Sequence, residues 1–200
     1  RFYVGYNPLK IKWDDYQSQN EEHRPFKNGV TVGYLHASNI VKNVPLYLEY
    51  GANFMYSFGK EEEKEDGLRY ALKANMYSLN VPVSLALRLS FNNDKVAITP
   101  YLGLNFRINV AGNIKQELSY EGDNETETYR LFDSSDKDNA MGDLAFKRFQ
   151  AGFNFGVGFT FNSVYLGVGH VVDFSKIADY DDDYYVGKLG VTTISLGLAF

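Results

Sequence analysis

Residues 149 to 161 read Phe149-Gln-Ala-Gly-Phe153-Asn-Phe155-Gly-Val157-Gly-Phe159-Thr-Phe161, so large apolar side chains alternate with small or uncharged polar ones over a whole strand length. Successive side chains of a strand point to opposite faces. One face therefore carries Phe149, Ala151, Phe153, Phe155, Val157, Phe159 and Phe161, and the other carries Gln150, Gly152, Asn154, Gly156, Gly158 and Thr160. A second run, residues 77 to 91, sets eight apolar residues in strict alternation, which no helical stripe accommodates. The chain must be built from two-faced strands, and which face meets the outside decides what kind of protein it is.

The pattern predicts eight strands, at about 2–12, 29–37, 45–58, 69–91, 96–114, 149–161, 164–177 and 188–200. In the first, the apolar set Phe2, Val4, Tyr6 changes phase at Asn7-Pro8 and resumes as Leu9, Ile11, Trp13, for which a bulge is the simplest account. Pro82 falls in mid-strand, where it removes a ladder donor; a bulge there would accommodate it. Of 25 acidic residues, 22 lie in the segments 13–28, 60–67, 115–148 and 179–186, which follow the first, third, fifth and seventh strands, whereas the other connections are short. Alternate connections of an up-and-down meander emerge at opposite ends. The long acidic loops thus share one end of an eight-stranded antiparallel barrel, expected to be a single domain over residues 1–200.

Alternation permits two opposite barrels, one with its apolar face inside, like a lipocalin, and one that turns it to lipid. A water-facing exterior is rich in Lys, Glu, Asp and Arg. In the third to eighth strands the second face is instead mostly Gly, Asn, Ser, Thr, Ala and Gln, which suits a narrow lumen filled by its own side chains. Mean hydropathy of −0.32 is no objection, because only half of each barrel strand needs to be apolar. Tyr6, Trp13, Tyr47, Tyr56, Tyr101, Tyr165, Tyr184 and Tyr185 lie near strand ends and fit interfacial girdles, though the strand phasing points some of them inward. With no cysteine there is neither a disulfide framework nor a thiolate metal site, and cations do not cluster with aromatics as in a nucleic-acid groove. Arg1-Phe-Tyr-Val-Gly-Tyr6 enters directly into a strand, as in a cytosolic protein or the mature form of an exported one.

Pro45-Leu-Tyr-Leu-Glu-Tyr-Gly51, Tyr56-Ser-Phe-Gly59, Tyr77-Ser-Leu-Asn-Val-Pro82-Val83 and Pro100-Tyr-Leu-Gly103 resemble the PorT-like and OmpX-like outer-membrane β-barrel family of Bacteroidetes. The terminal Thr192-Thr-Ile-Ser-Leu-Gly-Leu-Ala-Phe200 is similar to the insertion signal of such barrels. The resemblance implies a bacterial outer-membrane location, a periplasmic C-terminus and long loops facing outside the cell; it does not imply an enzymatic activity, and the expectation is a non-enzymatic chain with a signal peptide in its precursor.

Glu49, Arg88 and Arg107 fall on the lumen face of consecutive strands and are expected to pair with one another or with lumen water, as a structural plug rather than a gate. Asp179, Asp181, Asp182 and Asp183 are a weak set of oxygen ligands for a divalent cation, lacking the Gly and distal Glu of an EF-hand loop, and read as a solvated loop. The same holds for the charge run 61–66, while 115–148 is the longest loop. His170 and Asp173 are three apart, on opposite strand faces, so they do not form an acid–base pair, and no catalytic residue is assigned. The expected partners are outer-membrane lipid and an extracellular macromolecule or polysaccharide at the loops; neither cofactor nor nucleic acid is expected, and the chain is expected to be a monomer. Two other readings stay open: a transport or secretion accessory, and a soluble lipocalin-like ligand-binding barrel.

Overall fold

The computed structural model describes residues 1–15, 26–65, 68–93, 95–120, 123–132, 145–180 and 185–200. Its strands are β1 (Phe2–Asp15), β2 (Asn28–Asn39), β3 (Leu46–Glu65), β4 (Leu68–Leu87), β5 (Leu89–Phe91), β6 (Val96–Tyr120), β7 (Asp123–Arg130), β8 (Ala145–Phe146), β9 (Phe149–Phe161), β10 (Val164–Asp173), β11 (Ala178–Tyr180) and β12 (Tyr185–Leu198). Eight of them pair antiparallel in the order β1-β2-β3-β4-β6-β9-β10-β12, and β1 pairs β12 to close the ring. Closure leaves no sheet edge along the barrel wall. The short connections turn on Asn43, Asn92, Asn93 and Asn162, all at φ between 52° and 64°, a left-handed conformation that asparagine tolerates better than most residues.

The apolar face is outside. Phe153 is 54% exposed and Phe155 44%, whereas Gln150, Asn154 and Thr160 are buried, and the same division holds for the neighbours of β9 in the sheet. A ligand-binding barrel with its phenylalanines inside is thereby excluded.

Two local expectations are corrected. In β1 the register to β12 keeps one offset on both sides of Asn7-Pro8, so no bulge occurs there; Leu9 and Ile11 point into the lumen and are buried. At Pro82 there is likewise no bulge. The β3–β4 register is the same on both sides, but Gly51 and Ala52 drop out of the ladder opposite Pro82 and Val81, while Pro82 still pairs Asn105 on β6. The missing N–H therefore opens two rungs on one side only. The bulge is elsewhere: Tyr77 pairs Ala111 and Ser78 pairs Asn109, which leaves Val110 unopposed and flips the inward parity of β6 from Asn105, Arg107 and Asn109 to Gly112 and Ile114.

Much of the acidic "loop" sequence is also sheet. β3 and β4 stay paired from Lys60↔Lys73 to Glu65↔Leu68, and β6 runs on to Tyr120 and returns as β7. A four-stranded extension, β3-β4-β6-β7, thus rises from the long-connection end of the barrel.

Candidate functional site

The lumen has three layers. Nearest the short turns, Tyr3, Tyr101 and Tyr165 point inward with Arg1 and Glu49. Arg1 Nη2 donates to Glu49 Oε2 at 2.7 Å, and its guanidinium lies 4.2 Å from the Tyr165 ring centroid. The lumen-face glycines are the complement of these rings. A Cβ on Gly158 would come within 2.5 Å of the Tyr165 ring, and one on Gly169 within 2.2 Å of the Tyr101 hydroxyl. Tyr101 and Tyr165 therefore fill the bore, on the lumen parity that the strand phasing gives them, and are not part of a girdle. The space left, about 70 Å³ and lined by Arg1, Tyr3, Glu49, Tyr101, Asn154 and Tyr165 among others, has room for a few waters.

The middle layer is polar. Arg107 Nη1 donates to Asp173 Oδ2 at 2.6 Å and its Nε to Asn80 Oδ1 at 2.9 Å. Asn80 Nδ2 in turn donates to Asn53 Oδ1 at 2.9 Å, and Thr31 Oγ1 donates to the same oxygen at 3.1 Å. Ser78 Oγ donates to Asn109 Oδ1 at 2.8 Å, and Asn109 Nδ2 to Gln150 Oε1 at 2.7 Å. Both members of the Arg107–Asp173 ion pair are out of water, the side chains being 1% and 0% exposed. Toward the long connections the lumen turns apolar, with Leu9, Ile11, Phe26, Met55, Met76, Ile114, Leu131, Ile177, Leu189 and Val191 packed as one cluster.

Of the three charges expected to meet, Glu49 and Arg107 are buried in the lumen but belong to different layers and pair with Arg1 and Asp173. Arg88 is not part of either pair. It stands in the break between β4 and β5, at the short-turn end, where its N–H bonds Pro45 O at 2.8 Å. Asp173 was legible: it shares the parity of Tyr165, Gly167 and Gly169 on β10. His170 is on the opposite, outward face, with Nδ1 2.9 Å from Thr192 Oγ1, so it does not meet Asp173. The carboxylates of Asp179, Asp181, Asp182 and Asp183 lie outside the described residues, as do the side chains of Trp13, Tyr184 and Tyr185. Among the described residues no group of three or more His, Asp or Glu side chains is placed to hold a metal ion.

A second charged feature lies on the outward face of the extension. Glu62 accepts from Lys60 Nζ at 2.6 Å and Arg69 Nε at 2.8 Å, and Lys64 Nζ is 3.5 Å away. Glu117 accepts from Lys73 Nζ at 2.9 Å and Lys115 Nζ at 2.8 Å. The hydrogen bond from Lys60, then that from Arg69, pulls the Glu62 carboxyl down to about 2, and those from Lys115 and Lys73 do the same to Glu117.

No family model matches the chain, and no curated protein does. Among solved structures it is similar to Ail, the attachment invasion locus protein of Yersinia pestis, at 16% identity over 100% of this chain and 96% of that one, with a TM-score of 0.41. Ail in complex with the heparin analogue sucrose octasulfate aligns at 17% identity over 100% and 96% of the two chains, TM-score 0.39. Neisserial surface protein A aligns at 14% identity over 100% and 97%, TM-score 0.41. The barrel assignment rests on the closed ladder of this chain itself.

Proposed function

We propose that the chain is a non-enzymatic, non-conducting β-barrel of the bacterial outer membrane, a structural or surface-interaction protein that presents its extended β3-β4-β6-β7 sheet outside the cell. The observation that carries this reading is the exterior: Phe2, Val4, Val32, Phe54, Leu85, Leu102, Phe153, Phe159, Leu166 and Leu196 are all exposed around the ring. A continuous apolar belt of this kind is far larger than the patches soluble monomers expose. In hydrocarbon every backbone group must be paired within the protein, and a closed barrel meets that demand. The filled lumen argues against a transport role, since three layers of side chains stand in series along the bore. The PorT-like resemblance rests on short motifs alone.

Folding into phosphatidylcholine vesicles, read as a heat-sensitive shift in electrophoretic mobility, tests the location. The shift is expected, together with resistance of the barrel to alkaline extraction. Release of folded protein into detergent-free buffer would overturn the membrane reading. Planar-bilayer recordings test the closed lumen: no channel is expected from the wild type or from Glu49→Gln, and a single-channel conductance altered by that substitution would favour transport.

A further inference from the structure

Residues 60–65, 115–120 and 123–130 contribute mainly acid to the composition, but pairing sorts the described charges among them by face. Lys60 pairs Lys73 and Lys73 pairs Lys115, so three lysines from three strands stand in one row across β3, β4 and β6. Arg69 and Lys64 pair with each other further out on the same parity. Against these five cations the outward face carries the carboxylates of Glu62 and Glu117, each shared between cations. Glu127 lies on the other face, beside the inward-facing Tyr129, whose hydroxyl donates to it.

The depth of the row is fixed by what lies beneath it. Tyr56 and Tyr77 stack on adjacent strands with ring centroids 4.9 Å apart, and Tyr56 stacks on Phe58 at 5.6 Å, forming the upper edge of the apolar belt. Lys60 is two residues beyond Phe58, which is roughly 7 Å along a strand. In a bilayer whose hydrocarbon ends at the aromatic edge, that distance is the depth of the headgroup phosphates.

We propose that the outward face of this extension, centred on Lys60, Lys73 and Lys115, binds the phosphate groups of lipids in the leaflet surrounding the barrel. The inference rests on the membrane reading above. A phosphate bridging the row would take hydrogen bonds from ammonium groups that Glu62 and Glu117 hold in place at fixed spacing, a charge-assisted interaction stronger than a neutral one. Lipid rather than a soluble anion is the occupant because the row is continuous with the lipid-facing belt.

The test reconstitutes the full chain in bilayers containing equal amounts of bisphosphorylated and dephosphorylated lipid A in phosphatidylcholine, and measures by native mass spectrometry which lipid stays with the folded barrel. Each cation near an anionic surface is worth about fivefold in binding. The wild type is expected to retain the phosphorylated lipid at least about fivefold over the other. The Lys60→Gln, Lys73→Gln, Lys115→Gln triple variant is expected to fall to near parity, while Lys42→Gln with Lys95→Gln, at the opposite end, leaves the preference intact. Equal retention by the wild type, or full preference in the folded triple variant, overturns the proposal. Should the triple variant not fold, a salt series on the wild type decides, since preference through phosphate contacts must fall as ionic strength rises and constancy refutes it. Failure to enter any bilayer overturns the membrane reading instead, and is recognised by the absent mobility shift.

Discussion

Replacing Asp173 by Asn keeps the shape of the side chain and removes one charge from the middle of the barrel. Arg107 would then be left as a cation with 1% of its side chain exposed, its remaining partner being Asn80 Oδ1 at 2.9 Å. Removing one member of a buried pair costs on the order of 3–5 kcal/mol, because the survivor keeps its desolvation penalty and loses its Coulomb partner. The lower end, about 3 kcal/mol, applies here, because the carboxamide oxygen introduced by Asp173→Asn still accepts one hydrogen bond from the guanidinium. With a urea slope of about 1–3 kcal/mol/M the unfolding midpoint in detergent micelles falls by about 1–3 M, followed as loss of the fast-migrating folded band. The double variant Arg107→Met with Asp173→Leu removes both charges and is expected to be more stable than Asp173→Asn alone. If Asp173→Asn lies within about 0.5 kcal/mol of the wild type, Arg107 is solvated by lumen water and the description of the middle layer as dry is wrong.

Other substitutions probe the remaining layers. Phe155→Arg, in the middle of the belt, is expected to cost roughly 2–4 kcal/mol in lipid vesicles, against about 0–1 for Phe161→Arg at the strand end, measured by equilibrium unfolding; equal costs would contradict the belt. Gly158→Val places a methyl-bearing Cβ 2.5 Å from the Tyr165 ring and should destabilise by about 1–3 kcal/mol, and Tyr165→Leu in the same chain should restore part of that loss. Acid should loosen the extension before the barrel. Glu62 and Glu117 have native values of about 2 against an ordinary 4.5, so their contribution is complete above 4.5 and is lost as pH falls from there toward 2. Amide exchange at residues 60–65 should accelerate across that window while exchange in β9 does not change, and uniform acceleration would show that the carboxylates stabilise the whole barrel.

The period of two made the strands and their outward face legible, because eight segments repeat one choice of which parity is apolar. Partners were not legible. Glu49 meets Arg1 across 48 positions and Arg107 meets Asp173 across 66, and only the register of the closed ring brings them together. The Val110 bulge carries no Pro signal, so the parity flip of β6 was hidden. Charge was misread for a related reason: a strand sends alternate residues of Lys60-Glu-Glu-Glu-Lys64 to opposite faces, and composition averages over both.

The phase change in β1 has a different cause from the bulge it suggests. Val4 and Tyr6 face out and Leu9 and Ile11 face in, at one constant register, so the apolar parity itself switches sides between Tyr6 and Leu9. The same switch occurs in β12, where Ile194 and Leu196 face out and Val191 and Leu189 face in. The two switches fall on paired rungs: Leu9 opposes Val191, and Asn7 Nδ2 donates to Thr193 Oγ1 at 3.1 Å across the lumen side of the junction. Lipid on the outside asks for apolar residues outward and lets polar side chains satisfy one another inward, whereas water on the outside reverses the demand. On the membrane reading proposed above, the inversion marks the depth at which the surroundings change from hydrocarbon to water. Below it the bore is held by tyrosines and buried ion pairs; above it Phe26, Met55, Met76, Ile114 and Leu131 form an ordinary hydrophobic core that anchors the extended sheet. Truncating that core, as in Met76→Ala, should loosen the extension and its lysine row, read as faster amide exchange at residues 60–65, while the lipid-embedded belt stays intact.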